Sequence, residues 1–110
     1  MGDAALACAH AAAAAHRVVP FFCDGVASVG TVPVDVRALG VSALSLAAHQ
    51  FYGPKGVGAL YLREGTRLGR LFDGGLQEQG YRCGTENVPG IVGLGSIGTD
   101  RQRVELAVAG

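Results

Sequence analysis

The sequence predicts an α/β domain with an open, partly parallel sheet, and three observations carry that prediction. Two short apolar runs, VVPFFC at 18–23 and ALSLAA at 43–48, have the length and make-up of buried strands. The stretch between them is long enough for a crossover, which a parallel pair requires. Both runs also end on polar residues, Asp24 in one case and His49-Gln50 in the other. Open α/β sheets bind ligands at the carboxyl ends of their strands.

The elements follow in order. Residues 3–16 are almost all Ala and Leu without Pro, which predicts a helix that stops where the β-branched Val18-Val19 begins. The first strand follows and delivers Asp24 next to Gly25, although Pro20 removes one ladder donor. VPVDVRALG (32–40) contains a helical turn ended by Gly40, and ALSLAA is the second strand. GALYLR (58–63) is the third. The connection before it leaves no room for a crossover helix, so this strand is expected to run antiparallel to the second. Residues 64–86 read as loop with short elements. Asn87 can cap a helix that carries Pro89 in its first turn. IVGLGSIG continues that helix, and its glycines suit close packing against another element. DRQRVELAVA is expected to be a frayed terminal helix. The 110 residues are one incomplete domain with a divergent tail at 99–110.

Composition narrows the function classes. Formal net charge is zero, so nothing calls for nucleic acid, and a near-neutral chain is prone to self-association. Arg63, Arg67 and Arg70 are the densest basic patch and read as a solvated turn. Three cysteines (Cys8, Cys23, Cys83) make an odd number, for which a reducing cytoplasm is the expected setting. The Ala-rich start lacks a basic n-region because Asp3 stands there, so export is not expected. Leu6 occupies the position where myristoylation requires Ser or Thr. No apolar run reaches the length of a membrane span.

Several chemistries can be weighed on residue pattern alone. The spacing of Cys8, His10 and His16 matches no standard zinc set, and no metal site is assigned. GPKGVG lacks the spacer and the Lys-Ser/Thr ending of a P-loop. Cys83 lies in a glycine-rich loop with no base to activate it. Pyridoxal phosphate chemistry fits better, because that cofactor needs a lysine, an Asp against its pyridine nitrogen and donors around its phosphate. An Asp at one strand end and a His at the next supply two of these.

Three segments, CDGVASVGTVPVDVRALGV, LSLAAHQFYGPKGVGALYLREGTRL and GGLQEQGYRCGTENVPGIVGLG, resemble the central part of a cysteine desulfurase. Those enzymes belong to the class V aminotransferase group of pyridoxal phosphate enzymes, and the resemblance spans roughly residues 20–95. It implies part of a three-layer αβα large domain of a fold-type I pyridoxal phosphate-dependent transferase, ordinarily within a homodimer. The family reaction takes sulfur from L-cysteine to give L-alanine and an enzyme persulfide, within sulfur metabolism and iron–sulfur cluster assembly.

The same resemblance assigns residues one at a time. Asp24 matches the Asp that pairs with the pyridine nitrogen, and His49 a His beside the cofactor phosphate. Thr85, in CGTENV, matches a Thr that reaches the phosphate of the neighbouring subunit's cofactor. Other positions depart from the pattern. Ala27 stands where a Gln contacts the phenolic oxygen, and Ala47 where a Ser holds the phosphate. Gln50 stands where the cofactor-binding lysine belongs, and Cys83 where Ser is usual. An amide nitrogen is neither basic nor nucleophilic, because its lone pair is delocalised into the carbonyl. Lys55, the only lysine, matches a second lysine that the family carries in its GPKG turn, so it does not replace the missing amine.

The family's phosphate-cradling glycine loop, ring-stacking His, persulfide Cys and carboxylate-gripping Arg have no counterpart in these residues. The chain is therefore expected to be inactive by itself, with no catalytic residue assigned and no covalent cofactor link. The alternative is a non-catalytic module that docks on an intact desulfurase or a sulfur-transfer partner.

Overall fold

The computed structural model describes residues 19–101, with side chains through Ile97, together with His10, Ala12 and Ala13. Those three N-terminal residues are helical; the remainder of the expected 3–16 helix, with Cys8, and the tail from 102 onward lie outside the described residues.

The centre is a three-stranded sheet in the order β1 (Phe22–Asp24), β2 (Ala43–Ala47), β3 (Gly58–Leu62). β1 runs parallel to β2, with Phe22 opposite Ala43 and Asp24 opposite Ser45. β3 runs antiparallel, with Ala43 opposite Leu62 and Ala47 opposite Gly58. Both strand directions agree with the sequence. β1 begins later than the apolar run suggests, because Pro20 has no N–H to give the ladder. The first donor after it, the Phe21 N–H, bonds the Ser42 hydroxyl at 2.9 Å.

Alternation along the strands sorts their side chains onto two faces. Leu44 and Leu46 enter the core with Val29, Val41, Ala48, Phe51 and Leu94, and Cys23, Ala59 and Tyr61 pack against them. Asp24, Ser45 and Leu60 fall on the opposite face, where Phe22 and Leu60 are exposed. Among the described residues, the main apolar cluster thus forms on one face of the sheet.

Helix α1 (Val36–Leu39) is short because both ends are closed locally. The Asp35 side chain accepts from the Arg37 and Ala38 amides at 2.9 and 3.1 Å, and Gly40 terminates it at φ 67°. β2 leaves through a 3-10 turn, Ala48–Phe51, which ends at Tyr52 with φ 69°. The Gly53 N–H closes that turn on the Ala48 carbonyl at 2.8 Å, and the Ala48 N–H bonds Val57 O at 3.1 Å. A second 3-10 turn, Glu78–Gly80, interrupts the long loop.

Helix α2 spans Val88–Arg101. As the sequence predicts, Asn87 caps it, its Oδ1 accepting from the Gly90 N–H at 3.2 Å. The expected close packing holds at Gly93, where a Cβ would lie 3.0 Å from Pro54 Cγ, whereas Gly95 faces open space. The basic patch is divided: Arg63 donates to Gly40 O (3.3 Å) and Ser42 Oγ (3.4 Å), while Arg70 pairs with Asp73 at 3.0 Å.

The turn after β1 packs Gly30, at φ 88°, directly on Phe51, so an added Cβ would overlap the Phe51 Cβ. Gly56 also has positive φ (81°) but no atom within 4 Å of such a Cβ. Gly56→Ala should therefore cost about 1 kcal/mol of left-handed backbone strain. Gly30→Ala adds overpacking and should cost about 3 kcal/mol. Chemical denaturation of the two variants checks this; equal losses would contradict the packing of the turn on Phe51.

Candidate functional site

The parallel pairing brings the carboxyl ends of β1 and β2 to one edge of the sheet. Asp24, the last residue of β1, lies beside Ser45, and the Ser45 hydroxyl donates to Asp24 Oδ1 at 2.6 Å. The Val26 N–H donates to the same oxygen at 3.1 Å, an Asx turn that starts the loop leaving the strand. The Gly25 N–H continues the ladder onto Ser45 O at 3.0 Å. A Cβ at Gly25 would lie 2.9 Å from that oxygen, so the chain beyond Asp24 can lie this close only as glycine.

The Asp24 carboxyl is held below its usual value. The Ser45 hydrogen bond is the main cause and the Val26 amide the second, with desolvation opposing them. Asp24 is thus an exposed, fixed anion at the mouth of the sheet. Its turn-forming role and a ligand-facing role are compatible, because the turn uses only Oδ1.

β2 carries the chain on to His49 and Gln50, both exposed in the 3-10 turn at the same end of the strand. Ala47 is the last strand residue and Ala27 lies in the turn after β1, so the two alanines flank the Asp24 edge in sequence and in topology. Lys55 is exposed further along the β2–β3 connection, beyond Tyr52, Gly53 and Pro54. Pro54 rests against Gly93 of α2, which ties the GPKG turn to the helix.

Thr85 sits elsewhere, exposed in the loop before α2, and no hydrogen bond among the described residues ties it to Asp24 or His49. That loop is closed by Gln77, whose Oε1 accepts from the Gly84 N–H at 3.1 Å. Cys83 lies against Gly74, where a Cβ would come 2.8 Å from Cys83 Cβ, and it is unpaired, as is Cys23. Among the described residues, no three His, Cys, Asp or Glu side chains gather as a metal set, and no helix is long and apolar enough to cross a membrane. His10 stands with its ring edge toward Phe21, centroids 6.1 Å apart.

The residue that sequence reasoning missed is Ser45. Its signal was available: it is the one polar side chain inside an apolar strand, and the parallel register places it level with Asp24.

The arrangement has known relatives. The aminotransferase class-V family model matches residues 6–98, a wider span than the motifs alone mark, and the chain belongs to that family. The family is pyridoxal phosphate-dependent. A cysteine desulfurase IscS of Dictyoglomus turgidum is 53% identical over 88 residues, covering 80% of this chain and 21% of the relative. A cysteine desulfurase of Cereibacter sphaeroides is 50% identical over 97 residues, or 87% of this chain and 24% of the relative. Among solved structures, SspA in complex with cysteine aligns with a TM-score of 0.77 at 40% identity, covering 83% of this chain and 27% of that one. A NifS-like protein from Rickettsia africae aligns with a TM-score of 0.81 at 28% identity, covering 86% and 26%. The chain thus spans about a fifth of the length of the curated relatives it matches.

The residues at the sheet edge fit the family cofactor in part. A fixed carboxylate with one oxygen that accepts no hydrogen bond among the described residues suits a protonated ring nitrogen. The donor set at the strand exit offers an amide and no amine for a covalent link.

Proposed function

We propose that this chain is a cysteine desulfurase-like segment that keeps the ring-nitrogen partner of pyridoxal phosphate and has lost its covalent anchor. In this reading Asp24 receives the pyridine N–H, His49 lies beside the cofactor and Thr85 serves the phosphate of a cofactor in a partner subunit. The substrate class is L-cysteine, a reading supported by the cysteine complex of one structural neighbour. The inherited chemistry is desulfuration to L-alanine with sulfur transfer, in the service of iron–sulfur cluster assembly. The unpaired Cys23 and Cys83 suit a reducing, cytoplasmic setting.

The observation that carries the reading is Gln50. It occupies the turn immediately after His49, at the exit of β2, where the family pattern has lysine. A carboxamide can neither bond the cofactor aldehyde nor carry the substrate α-proton, so this chain by itself does not turn over cysteine. Lys55 lies past a turn fixed by Pro54 and Tyr52, and reacting groups tolerate misplacement of only about an ångström. Borohydride treatment with pyridoxal phosphate should leave Lys55 unmodified in the native sequence, and Gln50→Lys should create a trappable site at position 50. A stoichiometric adduct at Lys55 of the unaltered chain would contradict the reading.

A second role rests on a separate observation. Leu71, Phe72 and Leu76 are 85%, 69% and 80% exposed on the long loop before Thr85, a concentration of apolar surface that invites a partner. We infer that an intact desulfurase subunit is that partner. Co-expression with a full-length desulfurase should give a complex that survives purification and is lost in a Leu71→Asp, Phe72→Asp double variant. Separate elution of two soluble proteins would end this second role.

A further inference from the structure

The Asp24 carboxylate has two oxygens, and the structure uses them unequally. Oδ1 receives both local donors, the Ser45 hydroxyl at 2.6 Å and the Val26 N–H at 3.1 Å. Oδ2 accepts no hydrogen bond from the described residues. The two donors come from different elements, one from the neighbouring strand and one from the turn that leaves β1. Two bonds on one oxygen set the plane of the carboxylate, which a single Asx-turn bond would leave free to rotate.

We propose that Ser45 is the positioning residue of this site: its hydroxyl fixes Asp24 through Oδ1 so that Oδ2 is the oxygen presented to a cationic ring N–H. The proposal rests on the reading of Asp24 given above and adds to it the acceptor atom and the residue that aims it.

The strand itself explains why Ser45 can do this. It is held on both sides, opposite Asp24 in the parallel ladder and opposite Leu60 in the antiparallel one. Its carbonyl also takes the Gly25 N–H, so the backbone just beyond Asp24 is held by the same residue. A turn-forming Asp needs only the Val26 amide, and any side chain would serve at position 45. A hydroxyl is required only if the carboxylate must be aimed. It has a second effect, because a hydroxyl that donates to a carboxylate makes that carboxylate a weaker base. The proton of a bound pyridinium then stays on the ring nitrogen and does not pass to Asp24. A positively charged ring is the state in which such a ring withdraws electrons.

The test has two arms on the whole chain. Carboxyl-carbon NMR follows the titration of Asp24 in the wild type, Ser45→Ala and Ser45→Thr, with the amide spectrum as the check on folding. Equilibrium dialysis measures affinity for pyridoxal phosphate in the same three proteins and in Asp24→Asn. In Ser45→Ala the Asp24 midpoint should rise toward the ordinary aspartate value, and Ser45→Thr should return it to that of the wild type. Cofactor affinity should fall about tenfold in Ser45→Ala, the effect of one charge-assisted hydrogen bond, and recover in Ser45→Thr. An unmoved midpoint in Ser45→Ala, or a displaced one in Ser45→Thr, with the amide spectrum intact, would overturn the role of Ser45 alone. Equal cofactor affinity in the wild type and Asp24→Asn would instead overturn the ring-partner reading of Asp24, and the proposal with it.

Discussion

The parallel pairing of β1 on β2 is the constraint on which the rest depends. A three-residue strand is too short to hold its register by ladder bonds alone, and parallel pairing is the less stable kind. Serine hydroxyls secure it at both ends. At the entry, the Ser42 hydroxyl accepts the Phe21 N–H at 2.9 Å while the Ser42 N–H returns to Phe21 O at 2.8 Å. Arg63 and Thr66 gather on the same residue, Thr66 Oγ1 donating to the Ser42 carbonyl at 3.4 Å. At the exit, Ser45 holds Asp24. Ser42 is almost fully buried, and it is tolerated there because its polar groups are partnered.

From this pairing the site follows without further devices. Fixing the register puts an anionic carboxylate level with Ser45, two residues before the end of β2, and the 3-10 turn after Ala47 carries His49 and Gln50 beyond that end. What the edge can do is then decided by functional groups. A carboxylate and an imidazole can orient a cationic heteroaromatic ring, whereas the Gln50 amide at the same edge is not a nucleophile. The scaffold is that of the family, and single side chains at this edge set the chemistry it can perform.

Much of this was legible in the sequence, for identifiable reasons. β2 and β3 show in ALSLAA and GALYLR because buried strands need continuous or alternating apolar residues. Their antiparallel relation shows in the short connection. Gly40 and Asn87 mark helix ends because αL geometry and an orphan N–H have few chemical solutions. Asp24, His49 and Gln50 could be placed at strand ends from these elements alone. The start of β1 was less legible, since Phe21 satisfies its N–H on a side chain from residue 42, a contact distant in sequence. Ser45 was missed for a similar reason: its importance lies in a partner on another strand, and only the register discloses it. Thr85 was singled out by motif alone, and no hydrogen bond among the described residues ties it to the edge.

This stretch of chain holds the β1–β2 register and so keeps Asp24 at the sheet edge. Native-state amide hydrogen exchange tests it most directly. The Gly25 N–H, bonded to Ser45 O, and the Phe21 N–H, bonded to the Ser42 hydroxyl, should exchange together with the amides of β2, all slowed well below the rates of an open chain. Exchange of Gly25 and Phe21 at open-chain rates while β2 and β3 remain protected would show that β1 is not held, and would contradict the account.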